Sequence, residues 1–539
     1  MSIHIRVVCI VAMSFLAACT KEQEPAQVSG TDPLIIKTYN GTLAGHWASG
    51  TADVRVFRAI PYAKPPVGRL RWQAPQAPEN WQGTRAATEF EKPCWQAHSE
   101  DAFVWTRGTF ERSEDCLHLS VWSQNDRDPA RPVMVWFHGG AHTGGWGHNK
   151  IFDGTQLAKL GVVLISINYR LGPWGFLAHP ALAQESVHES AGNYGLLDKI
   201  AALNWVRDNI EQFGGDPDNV TIFGQSAGSN SVCALMASPL SRGLFHKAIG
   251  QSASCLNPIT RDANGLDRGL LYGQALGVPQ TVDDLRNVSN EALLQATTIP
   301  AWSQQSKIVV DGWVLPKSPL EVFRAGEQAK VPLLVGSLAN EGNRLFALNA
   351  ELTESQFDIY LERTFGTTGA DIKEAYGEEL AQSPGLAQRE IATDLFMAFG
   401  MRQWAGFSSH ANQPTYLYFM SHVPPAFRIY MADDPELELP GGPRSAGAYH
   451  SGDLAFVFGN VGQVGAYWQE RDVRLASVMS RYWTNFAKTG DPNGTDLPRW
   501  ANYDPDEHTT QVLDADIHAI AGARRDKLDL FAKEFPLYE

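Results

Sequence analysis

The stretch Gly224-Gln225-Ser226-Ala227-Gly228 sets a serine between two glycines. A serine hydroxyl acts as a nucleophile when a base takes its proton, an acid orients that base, and donors hold the oxyanion. The pentapeptide alone reads equally well as a small-residue loop, so its flanks carry the argument. Residues 219–224 (NVTIFG) are a β-branched and aromatic run that suits a buried strand. After the serine, Val232, Leu235 and Met236 recur at helical spacing, with no proline before Pro239. Strand, glycine-pinched turn and helix form the context of a nucleophile elbow. Gly224 and Gly228 would lack side chains where strand and helix approach each other, and the helix N-terminus would favour developing negative charge.

The partners must come from elsewhere in the chain. Residues 132–145 (PVMVWFHGGAHTGG) read as a buried strand entering a glycine-rich loop, a candidate source of backbone N–H donors. A phosphate-cradling loop is excluded there, because no G-x-x-x-x-G-K-[ST] pattern follows. Residues 332–336 read as a further strand, with Glu341 beyond it in a turn closed by Gly342. His450 stands on a glycine-bounded loop before an apolar segment, in GAYHSGDLAFVFGN. His142, His148, His179, His188 and His246 compete with it on residue type alone. The order Ser226, Glu341, His450 is the nucleophile–acid–base order of α/β-hydrolases.

The whole chain bounds what these residues can serve. Its 539 residues would suggest about three or four domains by length alone. Composition is that of an ordinary globular protein, and the net charge of −15 disfavours a nucleic-acid partner. There are no repeats, heptads or long charge runs. Arg6 followed by the apolar run 7–15 reads as a secretory signal, too short to span a bilayer as a stable helix. Residues 16–19 (LAAC) resemble a bacterial lipobox, whose Cys19 would be lipidated and become the first mature residue. Residues 20–32 then read as a polar tether. Export makes disulfides available. Cys94 and Cys116 would close a loop over a segment rich in charge and glycine. Cys233, on the helix after the elbow, reads as a buried free thiol, and Cys255 is left open. No C-x-x-C pair or H-E-x-x-H is present, so a metal site has no sequence support.

Longer segments now carry a resemblance. Residues 213–228 (FGGDPDNVTIFGQSAG) match the serine signature of the type-B carboxylesterases, the family of cholinesterases and para-nitrobenzyl esterases. EDCLHLSVW is similar to that family's second signature. FRAIPYAKPPVGRLRW, NYRLGPWGFLA, GNYGLLDKIAALNWVRDNI and YWTNFAKTGDPN match further segments. The resemblance spans roughly residues 33–514. It implies an α/β-hydrolase fold, a mostly parallel sheet flanked by helices with large insertions, in one catalytic domain over residues 33–539. It implies Ser226 as nucleophile, Glu341 as acid and His450 as base, with Gly140, Ala141 and Ala227 as oxyanion donors. Ser252 would lie near the triad acid, Arg170 and Asp198 would form a buried ion pair, and Cys94 would pair with Cys116. The expected reaction is hydrolysis of small-molecule carboxylic esters, with no cofactor.

Three positions depart from the family pattern. His142 replaces a common aromatic residue, His118 stands where tyrosine or threonine is usual, and Gln225 stands where glutamate is usual. None removes a catalytic group. Gln225 either withholds a second carboxylate from the base or only packs and hydrogen-bonds in the elbow. Two other functions fit the fold: a non-catalytic binding or adhesion protein, and a lipase of longer-chain esters. The first conflicts with the retained catalytic set, and no lid is recognisable for the second. Trp105, Trp146, Trp174 and Phe346 could line a pocket or belong to the core.

Overall fold

The computed structural model describes residues 32–98, 110–125, 130–256, 265–303, 307–343, 345–425, 446–463 and 468–535. Its strands are β1 (Ile35–Lys37), β2 (Thr42–Ala44), β3 (His46–Trp47), β4 (Val54–Pro61), β5 (Thr84–Ala86), β6 (His118–Gln124) and β7 (Arg131–Phe137). They continue as β8 (Val163–Ile167), β9 (Gly215–Gln225), β10 (Lys247–Gln251), β11 (Leu333–Leu338), β12 (Thr415–Met420), β13 (Thr509–Leu513) and β14 (His518–Ala521). β1, β2 and β5 make a small sheet, and the rest join in the order β14-β13-β12-β11-β10-β9-β7-β8-β6-β4-β3. Every neighbouring pair from β8 across to β13 is parallel, and antiparallel strands finish both edges.

Parallel neighbours need crossover helices, which bury both faces of the sheet. The central strands are accordingly buried and largely apolar: β8 (VLISI) and β11 (LLVGSL) are buried at every position. Alternation along β7 sends Val133, Val135 and Phe137 into one core, with Leu196, Leu203 and Trp404. Met134 and Trp136 enter the other, against Leu475, Met479, Trp483 and Phe486 of the helix Glu470–Thr489. The fold is that of an α/β-hydrolase with insertions.

Register brings the relevant loops to one level. Phe137 pairs with Gly224, Gln225 with Gln251, and Gln251 with Gly336. The chains leaving β7, β9, β10 and β11 therefore emerge side by side at the carboxyl ends of parallel strands, where such sheets bind ligands.

Among the described residues there are two disulfides. Cys94–Cys116 matches the expectation. The reading of Cys233 as a free thiol is wrong: it is bonded to Cys255. Its burial on the helix is as expected, but the chain leaving β10 runs alongside that helix and brings the two Cα atoms within 5.5 Å. The signal segment, Cys19, the tether and Trp105 lie outside the described residues. Among the described residues no helix is long and apolar enough to cross a membrane.

Candidate active site

β9 ends at Gln225, and the helix Ala227–Ala237 begins one residue after Ser226. Ser226 has φ 57° and ψ −124°, a region that side chains adopt only when their surroundings impose it. One bond that continues the parallel ladder and one that opens the helix impose it here. The Ser226 N–H donates to the Gln251 carbonyl at 2.8 Å, and the Ser226 carbonyl accepts from Asn230 N–H at 2.9 Å. A Cβ on Gly228 would lie 1.9 Å from the Phe137 carbonyl oxygen, and one on Gly224 would lie 2.5 Å from the Gly228 backbone. The glycines on either side of the serine are thus required by the closeness of three backbones.

Glu341 sits in the turn after β11 and is fully buried. One carboxylate oxygen accepts from Leu338 N–H at 2.7 Å, and the other lies 2.6 Å from His450 Nδ1. A carboxylate only accepts, so Nδ1 carries the ring proton and Nε2 presents its lone pair. Nε2 faces the side-chain amide of Gln225 at 3.1 Å, so that amide donates to it. Ser226 Oγ makes no hydrogen bond among the described residues. His450 is thereby held between the acid and the residue preceding the serine.

The loop after β7 is shaped by positive φ at Gly140 (105°), Ala141 (53°) and His142 (59°). A Cβ on Gly140 would meet the Gly144 carbonyl at 2.1 Å. The N–H groups of Gly140, Ala141 and Ala227 have no acceptor among the described residues. Gln96 pins the far end of the loop: its amide accepts from Gly145 N–H at 2.7 Å and donates to the Gly145 carbonyl at 3.0 Å. The Cys94–Cys116 disulfide fixes the segment carrying Gln96. His138 stacks on Tyr169, whose hydroxyl donates to the His138 carbonyl at 2.7 Å. Burial pushes both His138 and His142 down to about 3, so both rings are neutral under ordinary conditions.

Charge is concentrated beneath these loops. Arg170 Nη2 contacts Asp198 at 2.7 Å and Arg170 Nε contacts it at 2.9 Å, as the expected buried pair. Next to Asp198, Lys199 is fully buried with Nζ 3.0 Å from the centre of the Tyr169 ring, and burial holds its ammonium well below the lysine range. Asp453 is also fully buried. It accepts from Gln251 at 2.7 Å and from the Tyr418 hydroxyl at 3.1 Å. Burial pushes its carboxyl up to about 6 against the Gln251 hydrogen bond, with the Glu341 charge adding to the rise.

Ser252 does not join this network through its side chain. Its N–H donates to the Gly336 carbonyl at 2.9 Å, and its buried Oγ has no partner among the described residues. Trp174 is buried, stacks on Trp95 and donates to Asn290 at 2.7 Å, and it lines a small cavity with Arg71, Trp72, Trp95 and Arg170. Trp146 and Phe346 are half-buried, against Phe110 and Phe396. Gln96, Asn230 and Asp453 escaped the sequence reading. Only Asp453 had a local signal, three residues beyond His450.

Residues 32–530 match the carboxylesterase family. The chain belongs to that family. It is 33% identical to the para-nitrobenzyl esterase of Bacillus subtilis (strain 168), over 90% of this chain and 95% of that protein. Identity to the fumonisin B1 esterase of Sphingopyxis macrogoltabida is 32%, over 92% of this chain and 89% of that one. A solved thermophilic para-nitrobenzyl esterase superposes with a TM-score of 0.79 at 31% identity, over 93% of this chain and all of that one. Membership of the carboxylesterase family supports serine-hydrolase activity of the carboxylesterase type on small-molecule esters.

Proposed function

We propose that the protein hydrolyses carboxylic esters through an acyl-enzyme on Ser226. His450 Nε2 takes the Ser226 proton as Oγ bonds to the acyl carbon, and the carbonyl electron pair moves onto oxygen. The N–H groups of Gly140, Ala141 and Ala227 receive that oxyanion. Collapse breaks the ester C–O bond, and the imidazolium returns the proton to the leaving alcohol. Water then attacks the acyl-enzyme with the same base, releasing the acid and regenerating Ser226. Glu341 orients the ring and stabilises its positive charge without moving a proton.

One observation carries this reading: His450 is buried with Nδ1 2.6 Å from Glu341 and Nε2 3.1 Å from the Gln225 amide, beside the elbow. The Gln225 amide occupies the Nε2 lone pair at rest, so the Ser226 hydroxyl must displace it when substrate orders the site. The test is labelling with a fluorophosphonate, followed by peptide mapping and a panel of nitrophenyl esters varied in acyl length. Label on Ser226 together with ester turnover, both lost in Ser226→Ala, supports the reading. Full turnover in Ser226→Ala ends it.

The leader supports a further part of the same proposal. Export under the signal at residues 1–19, with a lipid on Cys19, would hold the catalytic domain at a membrane through the tether.

A further inference from the structure

Ala141 and His142 lie in the left-handed region without being glycine, a conformation unfavourable for a residue with a Cβ. The loop closes on itself locally, since Thr143 N–H and Gly144 N–H both donate to the Gly140 carbonyl, at 2.9 and 3.0 Å, but that turn does not set its place against the helix carrying Ser226. The His142 carbonyl accepts from Gly172 N–H at 2.7 Å, and the ring leans on Phe176 at 4.9 Å. The remaining polar tie of the side chain runs to the nucleophile helix: His142 Nε2 lies 3.2 Å from Asn230 Oδ1. Nδ1 of the same ring is buried and has no partner among the described residues.

The roles within that contact are fixed by what lies beyond it. Asn230 Nδ2 donates to the Ser254 carbonyl at 2.9 Å, which leaves Oδ1 toward His142. Oδ1 only accepts, so Nε2 carries the hydrogen and Nδ1 is bare. Ser254 is itself anchored to the helix on both sides. Ser229 Oγ donates to the Ala253 carbonyl at 2.5 Å, and Cys233 is bonded to Cys255. Consecutive residues 253, 254 and 255 are thus tied to positions 229, 230 and 233, which share one side of the helix. Asn230 is one turn beyond Ser226 and donates its N–H to the Ser226 carbonyl.

We propose that His142 and Asn230 are positioning residues, a polar bridge that sets the Gly140–Ala141 donors against the helix carrying Ser226. The bridge rests on the reading of those N–H groups as oxyanion donors. Such donors act only at the distance the oxyanion will occupy, so a shift of the loop weakens the transition state more than the bound ester. The disulfide supplies rigidity at the far end, through Ser254.

The test compares His142→Phe, Asn230→Ala, the double variant and His142→Gln with wild type on a nitrophenyl ester. A trifluoromethyl ketone serves as the oxyanion-forming inhibitor. His142→Phe keeps a flat ring on Phe176 and removes only the donor. We expect kcat to fall about tenfold with KM little changed, the size of a buried hydrogen bond lost with its acceptor left unpaired. Ketone affinity should fall by the same factor while thermal unfolding stays close to wild type. Asn230→Ala should act in the same direction, the double variant should be no worse than either single, and His142→Gln, which still donates, should recover much of the loss. Unchanged kcat in His142→Phe and Asn230→Ala, or losses that multiply in the double variant, would overturn the bridge. A loss confined to KM or to unfolding temperature would do the same. Fluorophosphonate labelling of wild-type Ser226 separates the two readings: without it the catalytic proposal fails before any variant is compared.

Discussion

Replacing Gln225 with glutamate inverts the hydrogen bond at the base. The amide now donates to the His450 Nε2 lone pair at 3.1 Å. A carboxylate there can only accept, so the ring satisfies it by taking up a second proton and leaving the form able to deprotonate Ser226. At an effective dielectric of about 20, unit charges about 5 Å apart attract by about 3 kcal/mol, equivalent to about two pH units. Position 225 is only 1% exposed, so desolvation of the new carboxylate opposes its ionisation and takes back part of this. The expected net result is an acid limb of the acylation rate moved upward by about one unit. The assay is the pre-steady-state burst of nitrophenol across pH, for wild type, Gln225→Glu and Gln225→Met. The methionine variant removes the hydrogen bond to the neutral ring without adding charge and should move the limb upward by less than Gln225→Glu does. The ratio of rates on cationic and anionic esters should also move toward the cation in Gln225→Glu alone, by about fivefold. An unmoved limb and an unmoved ratio in Gln225→Glu would refute the charge argument and leave Gln225 as a packing residue.

Three further outcomes are expected. Glu341→Ala should lower kcat by about ten-thousandfold against about a millionfold for Ser226→Ala, because the acid orients and stabilises the ring without moving a proton; equal losses would contradict that division of labour. Asp453 is held at about 6, above its unfolded value near 3.8, so the folded state keeps its proton longer. Its burial costs nothing below about pH 4, and the cost grows through that interval to about 3 kcal/mol above pH 6. Asp453→Asn should therefore flatten the decline of stability between pH 4 and 6 in denaturant titrations, and an unchanged slope would show that the carboxyl is not the source. Cys19→Ala should release exported protein from the membrane fraction, and retention there would assign the anchoring to another surface.

The sequence was most informative where backbone proximity dictates residue type. Gly224 and Gly228 were legible because a Cβ at either would collide with a neighbouring strand or helix. The parallel strands were legible because both faces are buried and nearly every position must be apolar. Glu341 and His450 were weaker: only chain order distinguished them, and their 2.6 Å contact spans 109 residues of sequence. Asn230 and Gln96 left no pattern, since each acts on the loop after β7 from a different part of the chain. The Cys233–Cys255 bond had an arithmetic signal. With Cys9 and Cys19 assigned to the expected leader and Cys94 paired to Cys116, two cysteines remain, also 22 residues apart. Helical burial argued for an inert thiol, and it was right about burial and blind to the neighbouring segment.

The strained residues around the site differ in what restrains them. Ser226 and Ser252 both have positive φ, yet each sits one residue past a strand and has its N–H captured by the next strand in the sheet, at Gln251 and Gly336. The sheet that positions these residues also compensates their strain, so the elbow and its neighbour are fixed by the same ladder that folds the domain. Ala141 and His142 are instead the central residues of a turn from Gly140 to Thr143, closed by Thr143 N–H on the Gly140 carbonyl at 2.9 Å and outside any ladder. The turn shapes them locally, and its place against the nucleophile helix comes from the Gly172 N–H, the Phe176 ring and the Asn230 side chain. A loop seated outside the sheet by side chains and one backbone bond is the part of the site most open to side-chain control. Substitutions at position 142 or 230 should therefore tune turnover while leaving the sheet and the elbow intact, whereas substitutions at Gly224 or Gly228 act on the fold itself.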